Sequence, residues 1–218
     1  MSVNENRNIN VGVLALQGAF HEHYKLLKSF CFVNASLVRN IKDLSSLHGL
    51  IIPGGESTTI GYLLSLDGLG EEIKSRVKNK SLSIWGTCAG MILLAKKVEG
   101  MKSQGQYILG CLDIIVKRNY FGRQINSFST TISSKVIKKD FLAVFIRAPV
   151  VLSITSPNVT VLATINKTGE DNIILENGAI IAVQQDNILG TSFHPELSND
   201  NQWHEWWLND LKARYKIY

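Results

Sequence analysis

Three times in the first hundred residues a short apolar run breaks at a glycine-bearing turn and passes into a stretch with helical spacing. Ile9–Leu16 leads through Gln17-Gly18 into an amphipathic segment from Phe20 to Phe30, with Phe20, Tyr24, Leu27 and Phe30 on one face. Leu47–Ile52 breaks at Pro53-Gly54-Gly55 before a helix over Thr58–Leu66, and Ser81–Trp85 turns at Gly86 before a helix over Ala89–Lys97. Ala35–Arg39 reads as a further strand. Parallel strands need crossover connections, and helices supply them on the faces of the sheet. The pattern therefore predicts an α/β fold with a mostly parallel central sheet and helices on both faces. The second half is richer in strands, over Leu109–Lys117, Leu142–Ile146, Val159–Ile165, Ala179–Gln184 and Ile188–Phe193. The Ser/Thr-rich stretch 127–134 suits a strand or loop. A last helix over Gln202–Arg214 carries Trp203, Trp206 and Trp207, which should pack it onto the sheet.

A chain of 218 residues fits one compact domain over residues 1–218, with residues 1–8 as a flexible leader. Four prolines and 17 glycines exclude collagen and Pro-rich disorder. The best apolar run, Ser83–Ala95, is broken by Gly86, Thr87 and Gly90, so no membrane span is expected. The first ten residues have no apolar segment of the kind a secretory signal needs, which points to a cytoplasmic setting. The four N-x-S/T matches, at Asn34, Asn79, Asn158 and Asn166, then read as chance. Basic residues exceed acidic ones by 23 to 18, but the charges are scattered, which favours a solvated surface over a nucleic-acid site. Three cysteines without a C-x-x-C argue against a disulfide scaffold and fit a reducing compartment.

The chemistry concentrates in three turns. Gly86-Thr87-Cys88-Ala89-Gly90 lies between a strand and a helix, where small neighbours permit a tight elbow that presents a nucleophile. The Ala89 N–H is the natural oxyanion donor beside it. Cys31, at the end of the first helix, and Cys111, on an apolar strand, read as core residues. A cysteine nucleophile needs a base, and the base an orienting acceptor. His194, at a strand's C-terminal edge before Pro195, can be the base, and Glu196 can reach back to it. His21 and His23 read as solvated helix residues, His48 as structural, and His204 as lying on the exposed face of the last helix. Pro53-Gly54-Gly55-Glu56-Ser57-Thr58-Thr59 is a turn able to aim backbone N–H groups outward, without the lysine of a phosphate loop. No histidine or carboxylate spacing suggests a metal site.

In this order the turns resemble class I (triad) glutamine amidotransferases. Leu16-Gln17-Gly18-Ala19, Glu22-His23, the block from Arg118 through Asn119, Tyr120, Phe121 and Gly122 to Arg123 and Gln124, Phe145-Ile146-Arg147-Ala148-Pro149, and Ser192-Phe193-His194-Pro195-Glu196-Leu197 are similar to the branch of glutaminase subunits of pyridoxal 5′-phosphate synthase. The likeness spans residues 9–214; the leader before Asn10, segments 100–106 and 133–140, and Trp85 in place of a smaller aromatic depart from it. It implies the three-layer fold of that family and hydrolysis of L-glutamine to glutamate and ammonia. Cys88 would form a glutamyl thioester, His194 would carry protons, Glu196 would orient His194, and N–H groups at Gly55 and Ala89 would form the oxyanion hole. Gly55, Glu56, Ser57, Arg118, Ile146 and Arg147 would hold glutamine. Gln17, His21, Glu22 and His23 would face and gate toward a (β/α)8-barrel synthase subunit that receives the ammonia. The chain itself would bind no cofactor, since pyridoxal 5′-phosphate is the product of the complex. Another triad amidotransferase, such as the glutaminase of imidazole glycerol phosphate synthase, a γ-glutamyl hydrolase, and a catalytically silent scaffold of the same fold are the alternatives.

Overall fold

The computed structural model describes residues 8–100, 105–122, 127–166 and 178–217. The leader assigned to residues 1–8 falls almost wholly outside them, as do Arg123 and Gln124 and most of the segment 100–106.

The first half alternates as the turns require: β1 (Ile9–Leu14), α1 (Phe20–Leu27), β2 (Val33–Val38), β3 (Gly49–Ile52), α2 (Ser57–Leu66), α3 (Leu69–Lys78), β4 (Ser83–Thr87) and α4 (Ala89–Leu94). The second half runs β5 (Ala95–Glu99), β6 (Leu112–Lys117), β7 (Phe128–Ile132), β8 (Phe141–Phe145), β9 (Val150–Ile154), β10 (Thr160–Ile165), β11 (Ala179–Gln185), β12 (Ile188–Thr191) and α5 (Gln202–Tyr215). The strand order of the large sheet is β2-β1-β3-β4-β12-β11-β9-β6-β5, with β10 also on β11, while β7 and β8 pair separately. From β2 to β12 every neighbouring pair is parallel. Beyond β12 the antiparallel partners β11, β9 and β10 extend the sheet.

Both faces are covered, and the period-2 alternation of the strands decides which residue meets which layer. Leu50, Ile52 and Ile84 point to one face, against Ile60 and Leu64 of α2, Ile73 and Val77 of α3, and Leu93 of α4. Ile51 and Trp85 point to the other, against Leu27 of α1 and Trp203, Trp207 and Leu211 of α5. Trp203 and Trp207 are buried and Trp206 is half-buried.

Several expectations change. The helix after Cys88 stops at Leu94 rather than Lys97, because Ala95–Glu99 pairs with β6 as a strand and leaves Lys96 and Lys97 exposed. Helix α3 and strand β9 were not anticipated. Cys31 is exposed rather than core, since α1 ends at Leu27 and the apolar contacts there fall to Leu27, Phe30 and Phe32. Cys111 is half-buried against the core, and burial pushes its thiol up to about 11. His23 and His204 are fully buried rather than solvated, because α1 and α5 turn these residues toward each other under the sheet edge. Among the described residues no helix is long and apolar enough to cross a membrane.

Candidate active site

Strands β1, β3, β4 and β12 lie side by side and parallel, so the turns that follow them gather at one edge of the sheet. Gln17 follows β1, Gly55 and Glu56 follow β3, Cys88 follows β4, and His194 follows β12. These turns surround a cavity of about 370 Å³.

Cys88 occupies the elbow with φ 48° and ψ −101°, a left-handed conformation that a side-chain-bearing residue adopts only under constraint. Its N–H donates to the Thr191 carbonyl over 2.8 Å, tying the elbow to β12. Gly90 is needed two residues on: a Cβ there would run into the carbonyl of Ile52, so only glycine lets α4 lie this close to β3. The Cys88 thiol points at the Ile146 carbonyl, 3.7 Å from it. Ala89, the first residue of α4, lines the same cavity, and its N–H belongs to the turn in which a helix leaves donors free.

His194 is buried, with its N–H donating to the Val144 carbonyl over 2.8 Å. Nδ1 of its ring lies 2.7 Å from Oε1 of Glu196, which leaves Nε2 for Cys88. Burial opposes a charge on His194, but the negative charge of Cys88, its hydrogen bond and the Glu196 carboxylate outweigh it and hold the imidazolium up to about 10. Burial likewise opposes a charge on Glu196. The neighbouring imidazoles of His23 and His194 win, and the carboxyl stays well below the usual carboxylate range. Gly54 packs close against the ring: a methyl group there would collide with His194 Cε1.

The opposite wall is polar. The Glu56 carboxylate meets the Arg118 guanidinium at 3.0 Å and that of Arg147 at 3.6 Å, and accepts from the Thr58 hydroxyl at 3.1 Å. Burial pushes Glu56 up, but this hydrogen bond and the two cations leave it lowered. Arg118 also donates to the Gln106 side-chain carbonyl over 3.2 Å. Asn119 and Arg147 have φ of 50° and 49°, so two residues of this wall share the positive φ of Cys88.

Of the residues singled out in the sequence, Gly55, Glu56, Ser57, Cys88, Ala89, Arg118, Ile146, Arg147 and His194 line the cavity, and Glu196 stands behind His194. Gln17, expected to face a partner, also lines it, and its side-chain carbonyl accepts the Glu56 N–H over 2.8 Å. His21 and Glu22 are exposed on α1, away from the cavity lining. His23 does not face outward: it is buried 3.2 Å from Oε2 of Glu196. Ile92 and Asn119 line the cavity without having been singled out. Asn119 stood within the Arg118–Gln124 block, so its signal was present; Ile92 looks like any core residue of a helix. Among the described residues no group of three or more His, Cys, Asp or Glu side chains could hold a metal ion.

Residues 13–213 match the model of the SNO glutamine amidotransferase family. An uncharacterised glutaminase of Schizosaccharomyces pombe is 48% identical over 211 residues, covering 92% of this chain and 86% of the relative. A pyridoxal 5′-phosphate synthase subunit PdxT of Dehalococcoides mccartyi is 48% identical over 209 residues, covering 94% and 98%. A crystal structure of a glutamine amidotransferase is 41% identical and superposes with a TM-score of 0.80, covering 93% of this chain and 98% of the other.

Proposed function

The chain belongs to the SNO glutamine amidotransferase family, and from that premise we propose that it is the glutaminase subunit of a pyridoxal 5′-phosphate synthase. It hydrolyses L-glutamine to glutamate and ammonia, and the ammonia passes to the synthase subunit. The observation that carries the reading is the left-handed elbow that turns Cys88 toward a buried His194 whose far nitrogen is 2.7 Å from Glu196.

The steps follow from the groups in place. Cys88 Sγ attacks the side-chain carboxamide carbon of glutamine, and the charge that develops on oxygen is met by the N–H groups of Gly55 and Ala89. His194, carried as an imidazolium, gives its proton to the leaving nitrogen. The C–N bond breaks, ammonia departs, and a glutamyl thioester remains. Neutral His194 then takes a proton from water, whose oxygen attacks the thioester carbon. The C–S bond breaks, glutamate leaves, and Cys88 and His194 return to their starting state. Glu196 keeps the imidazole in one tautomer and orientation throughout.

The polar wall recognises the amino-acid end. A guanidinium of Arg118 or Arg147 meets the α-carboxylate, and Glu56 with the Ile146 carbonyl meets the α-ammonium. Without substrate these groups neutralise each other, so binding exchanges internal ion pairs for pairs with the zwitterion. Ser57 and Gly55 border the carboxamide end. The partner in this reading is a (β/α)8-barrel subunit that builds pyridoxal 5′-phosphate in the cytoplasm, with exposed His21 and Glu22 on the docking side. Every step above uses side chains and backbone of this chain, and pyridoxal 5′-phosphate is the product of the complex.

The test is covalent. A glutamine-mimicking diazoketone added to the assembled complex should leave one adduct, on Cys88 by peptide mass spectrometry, and excess L-glutamine should slow its formation. Adducts on Cys31 or Cys111 with Cys88 unmodified would sink the proposal.

A further inference from the structure

Behind Glu196 lies a buried polar cluster that the steps above leave unused. His23 on α1 and His204 on α5 are both fully buried. Nδ1 of His23 is 2.9 Å from Nε2 of His204. Nε2 of His23 is 3.2 Å from Oε2 of Glu196 and 3.3 Å from the Thr87 hydroxyl. Trp85 closes the cluster on one side, with its ring centre 6.0 Å from that of His23 and 4.8 Å from that of His204.

The cost of burying polar hydrogens selects one proton arrangement. Nδ1 of His204 is buried and, among the described residues, has no hydrogen-bond partner. A bare lone pair there costs less than an orphaned N–H, so the His204 proton sits on Nε2 and is donated to His23 Nδ1. His23 must then accept on Nδ1 and carry its own proton on Nε2. The Nε2–H of His23 therefore points to the Thr87 hydroxyl and the second oxygen of Glu196. Among the described residues no group makes a well-aligned hydrogen bond to that oxygen, and His23 is the donor facing it.

We propose that His23 is a positioning residue of the glutaminase site: its Nε2–H, oriented by His204, holds the second oxygen of Glu196 and so the plane of the carboxylate that aligns His194. A carboxylate held at one oxygen only can rotate about its last bond, and a donor nitrogen 3.2 Å from the second oxygen opposes that rotation. The first oxygen is committed to His194 over 2.7 Å. The seat of α1, which carries His23, thereby becomes part of the catalytic geometry. The inference rests on the glutaminase reading and adds an outer partner to it.

The test uses the reconstituted complex with glutamine, and reads kcat and KM separately. His23→Ala should lower kcat by about 10- to 100-fold with KM within roughly twofold. His23→Gln, whose amide N–H can take the place of Nε2–H, should return kcat to within about threefold of wild type. Wild-type kcat in His23→Ala, or a His23→Gln variant as slow as His23→Ala, would overturn the proposal. Should His23→Ala not fold by circular dichroism, His23→Met, similar in bulk and without a donor, replaces it, and the comparison with His23→Gln decides in the same way. Cys88→Ala serves in the same assay: activity surviving there would sink the glutaminase reading itself, whatever His23 does.

Discussion

Cys88, Asn119 and Arg147 pay for the site in backbone strain: each bears a side chain at a φ near +50°, and all three line one cavity. Gly54 shows how little room is left around them. Gly54→Ala should displace the His194 ring and lower kcat by about a hundredfold while the chain stays folded, as steady-state kinetics and a thermal melt can check. The charges at His194 and Glu196 give a second expectation. Glu196 lies below its ordinary 4.5, so its contribution to stability is complete above that value and fades as the pH falls through the folded-state value. His194 is raised from 6.5 to about 10, so its contribution is complete below 6.5 and fades as the pH rises through about 10. Glu196→Gln should therefore destabilise the chain most between about pH 5 and 6.5 and progressively less toward pH 10, by denaturant midpoints; a pH-independent difference would contradict this. At this scale the sequence was legible wherever chemistry has a local signature. The glycine and alanine flanks of Cys88 and the His-Pro-Glu turn are such signatures. His23 and His204 were not legible, because each looks like a surface histidine until α1 and α5 are seen to meet 181 residues apart in sequence.

Among the elements, α3 has its own closing device. Asn187, in the turn between β11 and β12, is buried and donates its side-chain amide to the carbonyls of Val77 at 3.1 Å and Leu82 at 2.7 Å. It satisfies the end of α3 and the turn into β4 at once. Asn187→Ala should cost about 2 kcal/mol in denaturant unfolding and leave glutaminase kcat nearly unchanged, since neither carbonyl reaches the cavity. An unchanged midpoint would contradict it. The elements missed in the sequence had conflicting patterns. Leu69, Ile73 and Val77 form a narrow apolar stripe in α3 among Glu71, Glu72, Lys74, Arg76 and Lys78. Ala95–Glu99 continues an apolar helix in sequence, and only its pairing with β6 ends that helix. The strand-turn-helix units around Gly18, Gly55 and Cys88 were legible because glycine, helical spacing and apolar runs agreed there.

For the whole molecule, function depends on a neighbour relation that local pattern does not carry. Strand β12 slots beside β4, pairing Thr191 with Thr87, and so sets Cys88 and His194 together although more than a hundred residues separate them. The parallel half of the sheet was readable from its crossovers. In the antiparallel extension β11 and β10 were readable only as strands without an order, and β9 between β11 and β6 was not readable at all. The central claim is that this edge, with its partner, releases ammonia from glutamine through Cys88. Its most direct measurement is ammonia release from L-glutamine by the wild-type chain and by Cys88→Ala, each with the synthase subunit present. The account predicts release by the wild-type complex and a loss of at least about a thousandfold in Cys88→Ala. Equal release by the two, or none by the wild-type complex, would contradict it.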